Sequence, residues 1–277
     1  MRLSSTHSVR ATTLATASLL ILAACGRTPA TPAPLPPAAA RTTTNFVSGE
    51  GVAAAMHDRY AGKWYSTLTF KQKTSRLLST GKWDVQTWYE AIKLPGRLRI
   101  DFDPVAAGNG VMYARDSQFV ASNNKVVRSE PGVNDLLLLG FDVYGNPPAR
   151  TSALLRRQGF DMSRVHMDTF GGRPMIVVGA LQGDLRRKQF WVDADRLLFT
   201  RLIESAPRDS TQVQDIRFVN YEPQAGGWVA TRVEIYVGER LIFSEDYTDV
   251  RTNVPLDESI FDPTPWKNAK HWMAAGR

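Results

Sequence analysis

Apolar and polar side chains alternate at every second position through most of this chain, and that period limits the fold more than any other feature. Trp64, Leu68 and Phe70 would share one face of a strand, and Leu98 and Ile100 one face of another. After residue 159 seven such segments follow one another as far as residue 250, and short connections separate them. Short connections make neighbouring strands antiparallel. The sequence therefore predicts a mainly β (α+β) domain built on one curved antiparallel sheet of about ten or eleven strands.

Three short helices are predicted around these strands. Val52, Met56 and Tyr60 are spaced four residues apart, which places them on one face of a helix before the first strand. Asn134 and Thr151 are plausible caps for two more helices, the first of which contains four consecutive leucines. So few helices can cover a strongly curled sheet without filling its interior completely. Either the sheet closes on itself or the helices cover its concave face like a lid, and in both arrangements we expect a partly filled apolar hollow that could serve as a ligand cavity.

The first 25 residues have the character of an export signal. Arg2 and Arg10 precede an apolar run at residues 14–24, which is too short to span a hydrocarbon core of ~30 Å. The tetrapeptide at residues 22–25, Leu-Ala-Ala-Cys, resembles the lipobox of bacterial lipoproteins, and Cys25 is the only cysteine of the chain. The resemblance implies that residues 1–24 are a lipoprotein signal peptide and that Cys25 becomes lipidated. The alternative is an ordinary signal peptide with an incidental cysteine.

The domain boundaries follow from composition. Residues 25–48 would hold the lipidated cysteine and a tether rich in Pro, Ala and Thr, and residues 49–277 would form a single folded domain. Loss of the two signal-peptide arginines lowers the net charge from +7 to +5, and the remaining basic residues are scattered. This distribution argues against a nucleic-acid partner. We expect a protein of the cell envelope that faces the periplasm, and in a bacterium with two membranes Gly26 after the cysteine favours the outer membrane over the inner one.

The order of motifs between residues 50 and 266 resembles the outer-membrane lipoprotein-sorting superfamily of Lol-type carriers. The chain has the helix, a strand, a Leu-Pro-Gly-Arg-Leu-Arg-Ile-Asp-Phe segment, an aromatic hairpin, the paired helices, a second hairpin and a Val-Pro-Leu-Asp-Glu ending, at residues 50–60, 64–72, 94–102, 112–116, 134–158, 189–195 and 254–258. The resemblance implies an open half-barrel whose helical lid covers a cavity for acyl chains. The carriers have an Arg latch immediately before the Pro that matches Pro95, whereas this chain has Leu94.

The candidate ligand cavity consists of apolar side chains predicted to point inward from the strands and the lid. These side chains could contact a ligand or could only pack against one another. They are Trp64, Leu68, Phe70, Leu98, Ile100, Phe102, Met112, Leu136, Leu138, Leu139, Phe141 and Trp191.

Catalytic and metal-binding patterns are weak. His166 and Asp168 would share a strand face, but no third ligand lies near them in the sequence, so a surface pair is the simpler interpretation. The tetrapeptide at residues 79–82 matches Ser-x-x-Lys, yet it falls in a predicted hairpin loop instead of at a helix start. No nucleophile elbow or phosphate-binding glycine loop occurs in the sequence. We therefore expect a protein that is not an enzyme and that has no cofactor and no metal.

Three hypotheses for function follow. The first is a membrane-anchored lipoprotein that binds the acyl chains of lipids or lipoproteins, as a carrier or receptor in envelope trafficking. The second is an envelope sensor or assembly scaffold that binds a protein partner. The third is a hydrolase without a recognisable motif.

Overall fold

The computed structural model describes residues 45–264, 266 and 271–273. The predicted signal peptide, Cys25 and the tether as far as residue 44 lie outside the described residues. Among the helices described, none combines the length and the apolar character that a membrane crossing requires.

Thirteen antiparallel strands form one sheet, which confirms the predicted fold class. The estimate of ten or eleven strands was too low, because all the short strands before residue 132 also join the same sheet. The strands are β1 Thr67–Leu77, β2 Trp83–Lys93, β3 Arg97–Phe102, β4 Gly110–Ala114, β5 Ser117–Ser122, β6 Lys125–Pro131, β7 Val165–Phe170, β8 Arg173–Val178, β9 Gln189–Asp193, β10 Leu198–Ala206, β11 Asp209–Gln224, β12 Gly227–Val237 and β13 Arg240–Thr252.

The strand order explains why the sheet needs a lid. It runs β6-β5-β4-β3-β2-β1-β13-β12-β11-β10-β9-β8-β7, so two meanders meet where β1 pairs with β13. Strands β6 and β7 follow each other in the sequence but lie at opposite edges of the sheet. The segment between them must therefore cross from edge to edge, and it does so over the concave face. The sheet stays open, as a half-barrel.

The helices are short, and two of them lie in this crossing segment. Asn134 caps α2 as predicted, because its Oδ1 accepts hydrogen bonds from the backbone N–H groups of Leu136 and Leu137 at 2.9 and 3.1 Å. The prediction for Thr151 is wrong: α3 begins at Pro148, which suits a first turn because it has no N–H to satisfy. The helices are α1 Gly49–Tyr60, α2 Asp135–Gly140 and α3 Pro148–Arg157, with a 3-10 turn at Asp142–Tyr144.

The main hydrophobic core lies between the concave face and the helices. Leu68 is paired with Ile92 and Ile92 with Leu98, so one row of core residues runs across three strands. From the other side, Leu138 and Leu139 of α2 are fully buried. The outer face of the sheet carries three smaller clusters, two of which include residues of the segment that follows β13.

Candidate functional site

The crossing segment at residues 132–164 forms the lid, and it is fastened to the sheet on two sides. The Tyr144 ring stacks on Trp64 with 3.8 Å between ring centroids, and the Tyr144 hydroxyl accepts a hydrogen bond from the backbone N–H of Phe199 on β10 at 3.0 Å. On the other side, Oδ1 of Asp142 accepts the backbone N–H of Gly96, in the β2–β3 turn, at 2.8 Å. Burial raises the pKa of Asp142 to about 7, and the Gly96 hydrogen bond opposes that shift. These contacts hold the lid in a chain that has no arginine before Pro95.

Nine of the predicted cavity residues belong to the packed core beneath the lid. Leu68, Phe70, Leu138 and Leu139 are completely buried. The contact is so tight at Gly140 that an added Cβ would lie 2.9 Å from Cε1 of Phe218 on β11. The nine residues in this cluster are Trp64, Leu68, Phe70, Leu98, Ile100, Leu136, Leu138, Leu139 and Phe141.

The other three predicted residues lie outside that cluster. Phe102 shares the concave face and packs on Trp88, with 4.7 Å between ring centroids. Met112 lies in an outer-face cluster, since its strand partner is Arg99, between the inward Leu98 and Ile100. Trp191 lies in a second outer-face cluster. The structure thus brings ten of the twelve residues to one face of the sheet and leaves two on the other.

An apolar cavity opens where the tips of three hairpins converge. Its volume is about 480 Å³, and the β1–β2, β10–β11 and β12–β13 hairpins supply its wall. Ile235 and Phe243 are paired across β12 and β13, and Ile235 packs against the main core, so both lie on the concave face. The apolar lining comprises Leu77, Leu78, Ala206, Pro207, Ile235, Val237, Ile242 and Phe243. Among the described lining residues, none comes from the lid.

The rim of this cavity is polar and carries more positive than negative charge. Arg208 and Arg240 line it together with Arg76 and Asp209. Arg76 is paired, because its Nη2 lies 2.8 Å from Oδ2 of Asp84. The arrangement provides an apolar interior with a cationic edge, which suits an amphiphile better than a small polar metabolite.

Sequence reasoning missed the residues that line this cavity, although it predicted the strands that carry them. The four consecutive leucines led to a predicted cavity beneath the lid, where the side chains are closely packed. The available signal was the apolar pair Ile242-Phe243 beside a hairpin turn, and the apolar Leu77-Leu78 beside another. Hairpin tips are usually polar, so apolar residues at two of them indicate a binding surface.

Other candidate chemistry remains weak in the structure. In the part of the chain that is described, no group of three or more His, Cys, Asp and Glu side chains is arranged to hold a metal ion. His166 and Asp168 form a partly exposed pair, with Nε2 and Oδ2 3.9 Å apart. Ser79 and Lys82 lie in the β1–β2 turn, away from any helix start.

Comparisons with known proteins identify the fold. No family model matches the chain, and no curated protein does. A DUF1329 family protein from Desulfovibrio piger has a similar structure, with a TM-score of 0.51 and 17% identity over 77% of this chain and 95% of that one. A domain assigned to outer membrane lipoprotein sorting, from Vibrio parahaemolyticus, has a TM-score of 0.51 and 13% identity over 77% and 96% of the two chains. The chain therefore shares the fold of these two proteins, and the resemblance predicted from the motifs is confirmed at the level of the fold.

Proposed function

We propose that this protein is a membrane-anchored lipoprotein of the cell envelope that binds the acyl chains of lipids or lipoproteins. The apolar cavity of about 480 Å³ at the open end of the half-barrel is the observation that supports it most directly. Its volume falls within the ~300–1,000 Å³ typical of sites for small ligands. The fold shared with a lipoprotein-sorting domain supports the same assignment.

Burial of hydrocarbon would drive this binding. Each methylene removed from water contributes about 0.8 kcal/mol, so a chain with several methylenes in the cavity could offset the cost of its own ordering. The protein would act as a carrier or receptor and not as an enzyme.

The anchor and the location complete the proposal. Cys25, lipidated after removal of residues 1–24, would hold the protein at the membrane, and residues 25–48 would act as a tether for the domain at 49–277. The protein would face the periplasm, with the outer membrane favoured by Gly26. An envelope protein could serve as an acylated partner.

Native mass spectrometry of the full lipidated chain, extracted from a bacterial envelope fraction in a detergent that is removed in the gas phase, tests the proposal. We expect a stoichiometric lipid or acylated peptide that organic extraction releases. Phe243→Asp places a charge in the cavity and should remove this ligand. Val127→Asp, at a residue on β6 that is 63% exposed, is the matched control and should retain it.

The alternatives give different results in the same preparation. An empty protein that refuses added lipid but keeps a protein partner after delipidation would contradict lipid binding and favour a sensor or scaffold. Turnover of lipid esters that one polar substitution abolishes would favour a hydrolase.

A further inference from the structure

Two glutamates interrupt the apolar concave face, and one of them, Glu245, is the next inward-facing residue after Phe243 of the cavity. Glu245 follows Phe243 by two positions on β13, and its partner on β12 is the buried core residue Val233, so it points to the same side. Glu90 on β2 is paired with Phe70 on one side and with Ile100 on the other, and both of these belong to the main core. Carboxyl groups are thus placed where the alternation calls for apolar side chains.

The surroundings of Glu245 show a polar group built into an apolar wall. The hydroxyl of Tyr247 donates to Oε2 of Glu245 at 2.6 Å, and the Tyr247 ring stacks on Phe70 with 4.1 Å between centroids. Gln72 is fully buried and donates from Nε2 to Oγ1 of Thr74 at 2.8 Å. The Oε1 of Gln72 is buried without a hydrogen-bond partner among the described residues.

Glu90 is the second acceptor without a partner. Its side chain is only 6% exposed, yet it makes no hydrogen bond and no ion pair within the described part of the chain. We call Glu90, Glu245, Gln72 and Tyr247 the acidic cluster.

The two glutamates of the acidic cluster have no positively charged partner among the described residues. Burial raises the pKa of Glu245 to about 7, and burial together with the charge of Glu245 raises that of Glu90 well above its ordinary value. Arg76 at the cavity rim is paired with Asp84, and no Lys or Arg within the described residues forms an ion pair with either glutamate. Two buried carboxyl groups without a cation destabilise a fold, and a ligand that supplies a positive charge offsets part of this cost.

The cavity and the acidic cluster are neighbours. Phe243 lines the cavity and lies 6.1 Å, centroid to centroid, from Trp88. Glu245 is the next inward-facing residue after Phe243 on β13, so the acidic cluster begins one inward-facing position beyond the cavity wall. Trp88 and Tyr247 are the two strand partners of Gln72. A ligand whose chain lies on Phe243 would therefore bring its polar group first to Glu245, and Glu90 lies deeper in the concave face.

We propose that the acidic cluster binds the amino group of an amphiphile whose alkyl chain occupies the cavity. The inference rests on the proposed function and names the class of ligand. A primary ammonium group has three N–H donors and no acceptor, and the acidic cluster offers acceptors with free capacity in the two carboxyl groups and the Gln72 amide oxygen. Charge-assisted hydrogen bonds of this kind are about twice as strong as neutral ones.

Binding of three ligands with the same chain length to the full-length lipidated protein tests this. We would measure the Kd of dodecylamine, dodecanol and dodecanoate by calorimetry at neutral pH, below their micelle-forming concentrations. We expect the amine to bind at least ~10-fold more tightly than the alcohol, and the carboxylate most weakly. Glu245→Gln and Glu90→Gln should each reduce the amine-to-alcohol ratio to within ~3-fold.

The matched control is Glu239→Gln, which removes a carboxylate from the exposed β12–β13 turn and should keep the full preference. Equal binding of amine and alcohol by the wild type, or tightest binding of the carboxylate, would overturn the amine assignment and leave acyl-chain binding intact. Binding of none of the three would overturn both. The wild-type comparison decides the question even if one variant does not fold.

Discussion

Buried carboxyl groups occur at two places in this otherwise apolar half-barrel, one at the lid and the other on the concave face of the sheet. Asp142 fastens the lid through a backbone N–H, and its carboxyl group is almost completely buried. Glu90 and Glu245 are buried carboxyl groups on the sheet, where each occupies a position that faces the core. Buried carboxyl groups are expensive, so each is expected to make stability or binding depend on its protonation.

Asp142→Asn should make stability less dependent on pH. The raised pKa means that the folded protein binds a proton more tightly than the unfolded chain between pH ~4 and about 7. The free energy of unfolding of the wild type therefore falls as pH rises through that window, and asparagine, which can still accept from Gly96, removes the fall. As pH rises from 5 to 8, the free energy of unfolding of the variant, measured by urea titration, should increase by about 1–3 kcal/mol relative to that of the wild type. Parallel pH profiles of the two proteins would show that Asp142 does not titrate in this range.

The sequence predicted the direction of a side chain only where one face of the strand is apolar and the other is polar. Leu98 and Ile100 were placed correctly on the concave face, because one side of β3 is apolar throughout. Met112 and Trp191 face outward, where other apolar residues cover them, so hydrophobicity alone could not tell the two sides of β4 and β9 apart. Glu90 and Glu245 could have been noticed as acidic residues between large apolar ones, in Trp88-x-Glu90-x-Ile92 and Phe243-x-Glu245-x-Tyr247.

At the scale of elements, the crossing segment is held by close packing as well as by hydrogen bonds. Helix α2 has only six residues, which is too short to be stable by itself, so its contacts with β10 and β11 must maintain it. Gly140 lets the end of this helix lie directly against Phe218.

Gly140→Ala should therefore destabilise the protein although alanine favours a helix. The added Cβ would lie 2.9 Å from Phe218 Cε1, and relief of that contact requires a shift of the lid or of the ring. We expect a loss of about 1–3 kcal/mol in the free energy of unfolding, partly restored when Phe218→Leu is added.

Gly132→Ala is the control for this double-mutant cycle, since its Cβ would be 3.8 Å from the nearest atom. It should change stability by less than about 0.5 kcal/mol. A neutral Gly140→Ala variant would mean that the lid moves aside easily.

Elements were predicted better than their assembly. Seven strands follow residue 159 as predicted, and Asn134 caps α2, because alternation and capping are local properties. The start of α3 was misplaced since Pro148 outweighs Thr151 as a first-turn residue. The number of strands in the sheet depends on long-range pairing, which no local pattern reveals.

For the molecule as a whole, the outer face matters as much as the concave one. Arg99 and Asp101 form a buried pair on β3, with Nε and Oδ2 3.0 Å apart. Arg99 also donates to the carbonyl oxygens of Ile260 and Trp266 at 3.0 and 3.2 Å, and its guanidinium lies 4.4 Å from the centroid of the Trp266 ring. One arginine thus fixes the segment after β13 to the back of the sheet.

Asp101→Asn should loosen this attachment. It leaves the Arg99 charge buried without its counter-ion, which costs about 3–5 kcal/mol of unfolding free energy. We expect faster proteolysis within the segment after β13 and a lower midpoint in urea. Glu50→Gln, which breaks an exposed pair with Arg156, should cost no more than about 1 kcal/mol. Equal effects of the two substitutions would contradict this role for Asp101.

The pairing of β1 with β13 has a consequence for the order in which the protein acquires its function. Leu68 and Thr252 are partners, and 252 − 68 = 184 positions of sequence separate them. Contacts between such distant residues form late in folding because a long loop must close first. The cavity wall draws on both sides of this junction, from Leu77 on β1 and Phe243 on β13. A chain whose final strand has not yet been synthesised therefore has no place for a ligand, and loading has to follow the completion of the polypeptide.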